Sequence, residues 1–412
     1  MKNIISERIS RIEESPTLAI SGKAKEMKAQ GINVIDFGAG QLDFEIPEEM
    51  KQSAIAALNT KGIGKYTPVP GSPAMKDALI KMFKKEFGLE YTPAQVMVGC
   101  GGKHTIYNLM MATINKGDEV IIPKPYWVSY PDIVSLAQGV PVFVETDDKF
   151  HIKADAIKEK ITDKTKWIII NSPSNPSGAV IEEEELKKVA DLAVEKGIMV
   201  MSDEVYAKLI YDKKHISIAS LNEGIKKLTV ITSAFSKTYG IPGWRLGYLA
   251  GDAEIIKACN KLQSQSTSNP SSIVQQTMVN MLDKDHGFLK KWMDDLKRKR
   301  DFVVKRLNEM EGVTCPVPEG AFYAFPKIPV KDDAKFAKEL LEEAYVAVIP
   351  GEPFGSPGHI RISFGGTDEN LAAGMDRIEE FLNSIKEDSG EESEDDPELK
   401  ADLDAIRKLG RS

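Results

Sequence analysis

Residues 233–248, SAFSKTYGIPGWRLGY, follow directly after the apolar and β-branched run 228–232. The length and composition of that run predict a buried strand, and Lys237 comes shortly after its end, among aromatic residues. A lysine in apolar surroundings is costly unless its charge is paired or its pKa is lowered, and lysines of lowered pKa attack carbonyl groups. The same pattern also fits a solvated loop lysine, which is the commoner case on protein surfaces.

Six further short apolar runs indicate strands of the same sheet. Amphipathic segments near 103–115, 127–138 and 183–196 have the length of helices and separate several of these runs. Apolar strands that alternate with helices predict an α/β fold, with a mostly parallel seven-stranded sheet that helices cover on both faces. In such sheets ligands bind at the carboxyl ends of the strands. The six runs are 96–98, 119–122, 140–144, 167–170, 198–201 and 247–250.

Polar and glycine-rich residues follow most of the predicted strands. After the first strand, the glycine turn 99–102 opens a helix, and such a turn presents free backbone N–H groups to an anion such as phosphate. Each feature has a structural alternative, since Asp203 also suits a helix cap and Trp127 also suits the core. Their coincidence at one edge of one sheet favours a ligand site. The residues concerned are Gly101, Gly102, Lys103, Trp127, Asn175, Asp203, Tyr206 and Lys237.

A lysine, an aspartate, a tyrosine, a stacking aromatic ring and an anion cradle together suit pyridoxal phosphate. In this interpretation Lys237 forms the Schiff base, Asp203 keeps the ring nitrogen protonated, and Tyr206 reaches the phenolic oxygen. The phosphate lies at the helix start 101–103, and the ring of Trp127 stacks on the cofactor. Further phosphate ligands are expected from Ser236 and Arg245.

The long helical stretch 283–311 marks a change of architecture. Behind it, the runs 320–325, 346–351 and 359–364 predict the strands of a smaller α+β domain. Arg361 lies inside the last of these strands, where its side chain faces either solvent or a buried anion.

The composition is that of an ordinary globular protein, and the charge argues against two classes of partner. Of the 412 residues, 42% are hydrophobic and 28% are charged, and the net charge is −8. This charge opposes non-specific binding to nucleic acid and to anionic membranes. No stretch reaches the roughly 18–20 apolar residues of a membrane span. The three cysteines are far apart without metal-ligand or disulfide spacing, so we expect no metal site and a cytoplasmic location.

The two chain ends differ in character. Residues 3–30 predict two helical pieces. At the other end, residues 387–412 hold ten acidic and four basic residues, a net charge of −6, which leaves −2 for the rest. We expect 387–396 to be disordered and a short amphipathic helix to follow Pro397, as a candidate docking helix for a partner or a second copy. The ending 410–412 is compatible with an engineered addition.

Residues from about 15 to 385 resemble the class I/II aminotransferases, which are fold-type I pyridoxal-phosphate enzymes, and in particular the bacterial and archaeal aspartate aminotransferases. The order and spacing of the motifs agree over nearly the whole span. The matching motifs are 125–131 (PYWVSYP), 171–178 (NSPSNPSG), 202–206 (SDEVY), 236–248 (SKTYGIPGWRLGY) and 320–323 (GAFY). The implied domains are a large cofactor-binding domain, a small domain that includes the N-terminal segment, and an acidic linker with its helix. Their expected bounds are 46–285, 286–386 with 1–45, and 387–412.

The resemblance also implies roles for individual residues. Asn175 would hydrogen-bond the phenolic oxygen of the cofactor together with Tyr206. Arg361 would bind the substrate α-carboxylate, with the backbone at Gly40 and the Asn175 amide assisting. Lys237 would carry a proton between the substrate carbon and the cofactor.

Substrate choice depends on other positions. In the enteric and animal enzymes a partner-subunit arginine binds the distal carboxylate, but Ser264 stands at that place here. The bacterial and archaeal subgroup uses a lysine in the glycine turn, and Lys103 stands there. A cation at this position favours a dicarboxylic amino acid, although Lys103 also suits a solvated first-turn lysine. Thr17 is a further candidate for substrate contact.

The resemblance implies a homodimer with shared active sites, in which Tyr66 contacts the phosphate of the neighbouring cofactor and Ser268 assists the neighbouring substrate. The implied reaction moves the amino group of aspartate or glutamate to a 2-oxo acid such as 2-oxoglutarate by a ping-pong mechanism. Alternatives within the fold are transamination of aromatic amino acids, prephenate or alanine. The fold also serves as the effector domain of some transcription regulators, which the short segment before Gly38 and the negative charge disfavour.

Overall fold

Twelve strands form three sheets in the part of the chain that the computed structural model describes, which comprises residues 4–14, 16–284 and 287–390. In chain order the strands are β1 Ile35–Asp36, β2 Val96–Gly99, β3 Glu119–Pro123, β4 Val140–Val144, β5 Thr165–Asn171, β6 Met199–Asp203, β7 Thr229–Ala234, β8 Gly247–Ala250, β9 Tyr323–Ala324, β10 Val346–Ala347, β11 Ile349–Pro350 and β12 Ile360–Ser363.

Helices account for most of the remaining regular structure. The α-helices are α1 Pro16–Ala29, α2 Glu48–Leu58, α3 Pro73–Phe87, α4 Gly102–Thr113, α5 Ser129–Leu136, α6 Ala154–Lys158, α7 Glu183–Lys196, α8 Glu223–Leu228, α9 Phe235–Thr238, α10 Ala253–Ser264, α11 Ser272–Leu282, α12 Gly287–Glu309, α13 Asp333–Glu343 and α14 Asp368–Gly390. Short 3₁₀ turns lie at Ile9–Arg11, Pro93–Gln95, Ile218–Ser220, Pro242–Trp244 and Glu352–Phe354.

The main sheet has seven strands in the order β2-β8-β7-β6-β5-β3-β4. Strand β8 lies antiparallel between β2 and β7, and the other neighbouring pairs are parallel. Side chains alternate along β5, so that Trp167 and Ile169 pack into the core on one face and Ile168 and Ile170 pack into the core on the other. The predicted α/β fold with a mostly parallel seven-stranded sheet is confirmed, and its runs differ from the strands by at most two residues at either end.

The register of the parallel strands aligns the polar residues that follow them. Asn171 at the end of β5 is paired in register with Asp203 at the end of β6, and Asp203 is paired with Thr232 of β7. Two residues beyond Thr232, β7 ends and the short helix α9 begins, carrying Lys237. Three motifs that are far apart in the sequence therefore meet at one edge of the sheet.

A second, smaller group of strands lies beyond α12. Strands β11, β12 and β9 form an antiparallel sheet, and β1 pairs with β10 in parallel. Phe322, Ile362 and Met375 of this region belong to one hydrophobic core with residues of α12 and α14. This core also contains Tyr206 from the loop after β6, so it extends to the edge of the main sheet.

The chain ends differ from their predictions. Within residues 4–14 the structure has only the 3₁₀ turn Ile9–Arg11, so the first of the two predicted helical pieces is wrong there. Helix α14 continues to Gly390, so disorder from residue 387 is also wrong for its first four residues. The amphipathic segment after Pro397 lies outside the described residues. Among the helices that are described, none is long and apolar enough to cross a membrane.

Gly247 sets a tight contact between β8 and the glycine turn. A Cβ atom there would lie 2.6 Å from the backbone carbon of Gly101 and from the nitrogen of Gly102. We expect Gly247→Ala to lower the free energy of unfolding by about 1–3 kcal/mol, because backbone on both sides must shift. Gly243→Ala, where nothing lies within 4 Å, is the matched control. Equal denaturant midpoints for the two variants in guanidinium chloride would contradict this contact.

Candidate active site

A cavity of about 270 Å³ opens at the carboxyl edge of the main sheet, where the smaller strands approach it. Most of the residues predicted for the site line this cavity. They are Thr17, Gly40, Gly102, Lys103, Trp127, Asn175, Asp203, Tyr206, Ser236, Lys237, Arg245 and Arg361. Gly101 immediately precedes Gly102 in the same turn.

Lys237 occupies the centre of the constellation. Its ammonium group donates a hydrogen bond to the carbonyl oxygen of Gly40 and lies 5.8 Å from the ring centre of Phe322. Burial lowers the pKa of Lys237 to about 8, and the positive charges of Arg361 and Arg245 act in the same direction. Near pH 8, Lys237 is therefore a neutral amine in a large fraction of the molecules. The neutral amine is the form that attacks a carbonyl carbon.

Asp203 is a buried carboxylate at the end of β6. The hydroxyl of Tyr130 donates to its Oδ2 at 2.6 Å, and the N–H of Val205 donates to its Oδ1 at 3.2 Å. Burial raises the pKa of Asp203 to about 6 despite these two hydrogen bonds. No lysine, arginine or histidine of residues 4–14, 16–284 and 287–390 forms an ion pair with it, so a cationic ligand group would find an uncompensated carboxylate.

A chain of hydrogen bonds joins the asparagines and tyrosines around the cavity. Asn171 donates to the carbonyl of Asp203 at 3.0 Å and accepts from the backbone N–H of Asn175 at 2.9 Å, which fixes the Asn-Pro turn on the sheet edge. The hydroxyls of Tyr206 and Tyr323 lie 3.0 Å apart. Burial raises the pKa of Tyr206, so its hydroxyl keeps its proton and can donate it to a ligand oxygen.

The glycine turn before α4 has the shape of an anion cradle. Gly101 has φ +92°, and a Cβ atom there would lie 2.4 Å from a guanidinium nitrogen of Arg245. Arg245 donates to the carbonyl oxygens of Cys100 at 3.2 Å and Pro242 at 3.0 Å, which holds its guanidinium group over the turn. The N-terminus of the twelve-residue helix α4, a guanidinium group and the nearby Ser236 together suit a phosphate.

Arg361 projects from β12 as a buried cation. Its Nη1 donates to the Oδ1 of Asn175 at 3.0 Å, and its Nη2 donates to the carbonyl of Gly38 at 2.8 Å. Its Nε is buried without a hydrogen-bond partner, and its guanidinium plane lies 4.6 Å from the ring centre of Tyr323. Among the described residues no carboxylate pairs with this cation, which therefore suits a carboxylate of a ligand.

Lys103 lies in the first turn of α4, with its ammonium group 5.0 Å from the ring centre of Trp127. Much of its side chain is accessible, yet desolvation by the cavity walls lowers its pKa, and the charge of Arg245 adds to this effect. No ion pair or hydrogen bond of its ammonium group is found within the described parts of the chain. Lys103 thus lines the cavity while its side chain stays exposed to solvent, and its role in the site remains a prediction.

Two predicted residues lie outside the cavity. Tyr66 is 91% exposed, and Ser268 lies in a turn after α10 with φ +60°. Both were assigned to the site of a neighbouring subunit, so their roles stay predictions. Sequence reasoning gave no role to Tyr130 or Tyr323, although both belong to quoted motifs. Their contacts span residues that are 73 and 117 positions apart, and no local pattern in the sequence reports such contacts.

Pyridoxal phosphate fits these residues at each of its reactive groups. The unpaired carboxylate of Asp203 suits the protonated ring nitrogen, and the cradle at Gly101 and Arg245 suits the phosphate. The neutral amine of Lys237 suits the aldehyde carbon. When bound, the cofactor supplies an electron sink that stabilises negative charge on the substrate carbon. Sheet, cavity and side chains thus define an α/β enzyme that depends on pyridoxal phosphate.

The comparison with protein families agrees with this class. The model of the family aminotransferase class I and II matches residues 32–378, and the chain belongs to this family. Aspartate aminotransferase of Bacillus sp. strain YM-2 is 42% identical over 392 residues, which cover 93% of this chain and all of the relative. An aspartate/prephenate aminotransferase of Cereibacter sphaeroides is 43% identical over 397 residues, covering 92% of this chain and 99% of the relative.

Solved structures show the same similarity in three dimensions. The aspartate aminotransferase of Rhizobium meliloti superposes with a TM-score of 0.88 at 39% identity, covering 92% of this chain and 98% of that one. The aspartate aminotransferase of Thermus thermophilus with maleate superposes with a TM-score of 0.89 at 36% identity, covering 92% of this chain and all of that one. The protein is therefore an aminotransferase that depends on pyridoxal phosphate.

The lowered pKa of Lys237 predicts how cofactor-free protein captures pyridoxal phosphate. We expect the capture rate to rise about tenfold per pH unit below pH 8 and to level off above it, since the neutral amine is the reactive form. Stopped-flow absorbance in the visible measures this rate, and Lys237→Ala should show no visible band that shifts with pH. A rate that keeps rising to pH 10 would mean that the amine is not desolvated.

Proposed function

We propose that this aminotransferase moves the amino group of aspartate or glutamate to a 2-oxo acid such as 2-oxoglutarate by a ping-pong mechanism. The position of Lys103 carries the proposal. Its ammonium group lies over Trp127 in the cavity that also contains Lys237 and Arg361, and no described acidic residue pairs with it. A second cation in the cavity gives a place for the second carboxylate of a dicarboxylic substrate.

The two cations have separate tasks in this proposal. Arg361 binds the α-carboxylate, which every amino acid carries, with the Asn175 amide and the backbone of Gly40 beside it. Lys103 binds the distal carboxylate, and Thr17 at the start of α1 lines the same cavity. The relatives named aspartate aminotransferase, and the Thermus thermophilus structure with the dicarboxylate maleate, support a dicarboxylic substrate.

Lys237 moves the proton. With a pKa near 8, its Nζ can accept a proton from the α-carbon of the substrate. The same Nζ would carry that proton to the cofactor. Asp203 would stay ionised opposite the cationic ring nitrogen of the cofactor, because a positive neighbour stabilises a carboxylate. Tyr206 would donate a hydrogen bond to the phenolic oxygen of the cofactor, beside Asn175. The side chains of this chain therefore orient the substrate and carry its proton.

Lys103→Met tests the assignment of the distal carboxylate. We expect KM for aspartate and for 2-oxoglutarate to rise about 10- to 100-fold, because one hydrogen bond between charged groups is lost. KM for phenylalanine should stay within about threefold, since that substrate has no distal carboxylate. Steady-state kinetics with the three substrates measure the change.

A surface lysine provides the control for that experiment. Lys116 is exposed in the turn after α4, so Lys116→Met removes a charge without touching the cavity. If Lys103→Met raised KM for phenylalanine as much as KM for aspartate, Lys103 would have no part in choosing the substrate. Absence of aspartate activity in the unchanged protein would reject the proposed function itself.

Prephenate is the second candidate substrate. Its second carboxylate is on the ring carbon that bears the 2-oxo acid side chain, at the same spacing as in 2-oxoglutarate, so Lys103 suits it as well. The relative from Cereibacter sphaeroides is named for both aspartate and prephenate. Leu18 lines the same cavity and is 69% exposed, which offers apolar surface to a ring. Comparing kcat/KM for prephenate and 2-oxoglutarate as amino acceptors separates the two.

We propose further that the enzyme is a homodimer with shared active sites. The exposure of Tyr66, at 91%, supports this, since a tyrosine so far out of the fold suits an interface with a second copy. Exposed apolar residues Ile55 and Leu58 of the neighbouring helix α2 point the same way. We also propose the domain bounds 46–285 and 286–386. The core of the main sheet lies wholly within the first range, and the core of the smaller strands takes only Tyr206 and Leu209 of its buried residues from it.

Subunit mixing tests the shared site. Tyr66→Ala and Lys237→Ala each should impair both sites of their own homodimer, the first by weakening cofactor binding and the second by removing the amine. In a mixed dimer, one site receives an intact Lys237 from one subunit and an intact Tyr66 from the other. We expect mixing to restore the cofactor affinity of that site, measured by absorbance titration. If the cofactor affinities measured after mixing were only the average of those of the two parent homodimers, the shared sites would be contradicted.

We propose that the enzyme acts in the cytoplasm. The three cysteines, Cys100, Cys259 and Cys315, are all free thiols, which suits a reducing compartment. The acidic end of the chain remains a candidate docking segment.

A further inference from the structure

We propose that Asp36 is a positioning residue for the α-carboxylate site, because it fixes the loop that holds Arg361. This inference rests on the proposed role of Arg361. Asp36 ends β1, which pairs with β10, and the next residue, Phe37, donates its backbone N–H to Ala347 at 2.9 Å. The base of the loop is thereby anchored to the smaller group of strands.

The carboxylate of Asp36 shapes the turn that follows. Its Oδ1 accepts the backbone N–H of Gly38 at 2.9 Å, and the N–H of Ala39 also bonds to this carboxylate. The turn is tight, since a Cβ on Gly38 would lie 2.9 Å from the Cδ1 of Ile349 and 3.2 Å from the Asp36 Oδ1. With both N–H groups turned inward, the carbonyl groups of the loop face the cavity.

Those carbonyl groups hold both reactive cations. The carbonyl of Gly38 accepts from Nη2 of Arg361 at 2.8 Å, and the carbonyl of Gly40 accepts from Nζ of Lys237. Asp36 makes neither contact itself. It acts through the peptide groups of the loop and determines where the guanidinium group of Arg361 can lie.

The charge of Asp36 has a second effect on Arg361. Burial lowers the pKa of Arg361. Tyr323 and Tyr206 oppose that shift most, and Asp36 is the carboxylate that adds to their effect. A carboxylate in direct contact would occupy the face that a substrate needs, whereas one behind the loop stabilises the cation and leaves that face available. Lys28 and Lys25 of α1 are the cations whose charges act on Asp36.

Two substitutions separate the hydrogen bonds from the charge. Asp36→Ala removes both, and we expect it to raise KM about tenfold for aspartate, 2-oxoglutarate and alanine alike, because all three carry the α-carboxylate. We expect kcat to stay within about threefold. Asp36→Asn keeps an oxygen that accepts the N–H of Gly38, so it should recover most of the loss. Asp43→Ala, an exposed carboxylate on the same segment, should leave KM unchanged.

Two readouts distinguish positioning from general damage. Thermal unfolding and the affinity for pyridoxal phosphate should be nearly the same in Asp36→Asn and in the unchanged protein. An unchanged KM in Asp36→Ala, or a KM that rises for aspartate but not for alanine, would overturn the inference. If Asp36→Ala fails to fold, Asp36→Glu keeps the charge but displaces the oxygen that accepts the N–H of Gly38. It should raise KM for all three substrates alike, and an unchanged KM in that variant would overturn the inference. Loss of aspartate specificity alone would instead concern Lys103, since alanine still reports on Arg361.

Discussion

Desolvation of Lys237 beside two guanidinium groups governs this site; Arg361 is buried and Arg245 is exposed. The ammonium group of Lys237 shares one cavity with the guanidinium groups of Arg245 and Arg361, and burial with their charges lowers its pKa to about 8. Neutral carbonyl groups of the glycine loop and neutral side chains, rather than carboxylates, hold the three cations in place. The cations therefore keep their electrostatic attraction for ligand anions, and the amine keeps its reactivity.

The parallel pairing of β5, β6 and β7 makes this arrangement possible. Their register places Asn171, Asp203 and the start of α9 side by side, and the sequence predicts this because each strand is apolar throughout and ends in polar residues. The residues of the cavity that come from strands and from the glycine turn were predictable for the same reason. The family resemblance added the roles of Asn175 and Arg361, which strand patterns alone left open.

Other features depend on contacts that no local pattern encodes. The hydroxyl of Tyr130 reaches Asp203 across 73 residues, and Tyr206 meets Tyr323 across 117. The antiparallel position of β8 between β2 and β7 has the same origin, because an apolar run of four residues is compatible with either direction. At the N-terminus, helix propensity predicted a helix where the structure has one 3₁₀ turn, since a short exposed segment has little packing to stabilise it.

In the protein without its ligands, Asp203 and Lys237 together contribute least to stability between about pH 6 and 8. The pKa of Asp203 is raised to about 6, so the native state binds the extra proton between about pH 4 and 6 and loses stability as pH rises through that window. The pKa of Lys237 is lowered to about 8, so stability recovers only as pH rises from about 8 toward 10.5. Between pH 6 and 8 both groups are charged and desolvated. A cofactor with a cationic ring and an aldehyde would relieve both penalties at once. In the proposed roles of Arg361 and Lys103, a dicarboxylic substrate would then compensate their charges. The uncompensated charges that lower the stability of the unliganded fold are thus the same charges that favour ligand binding.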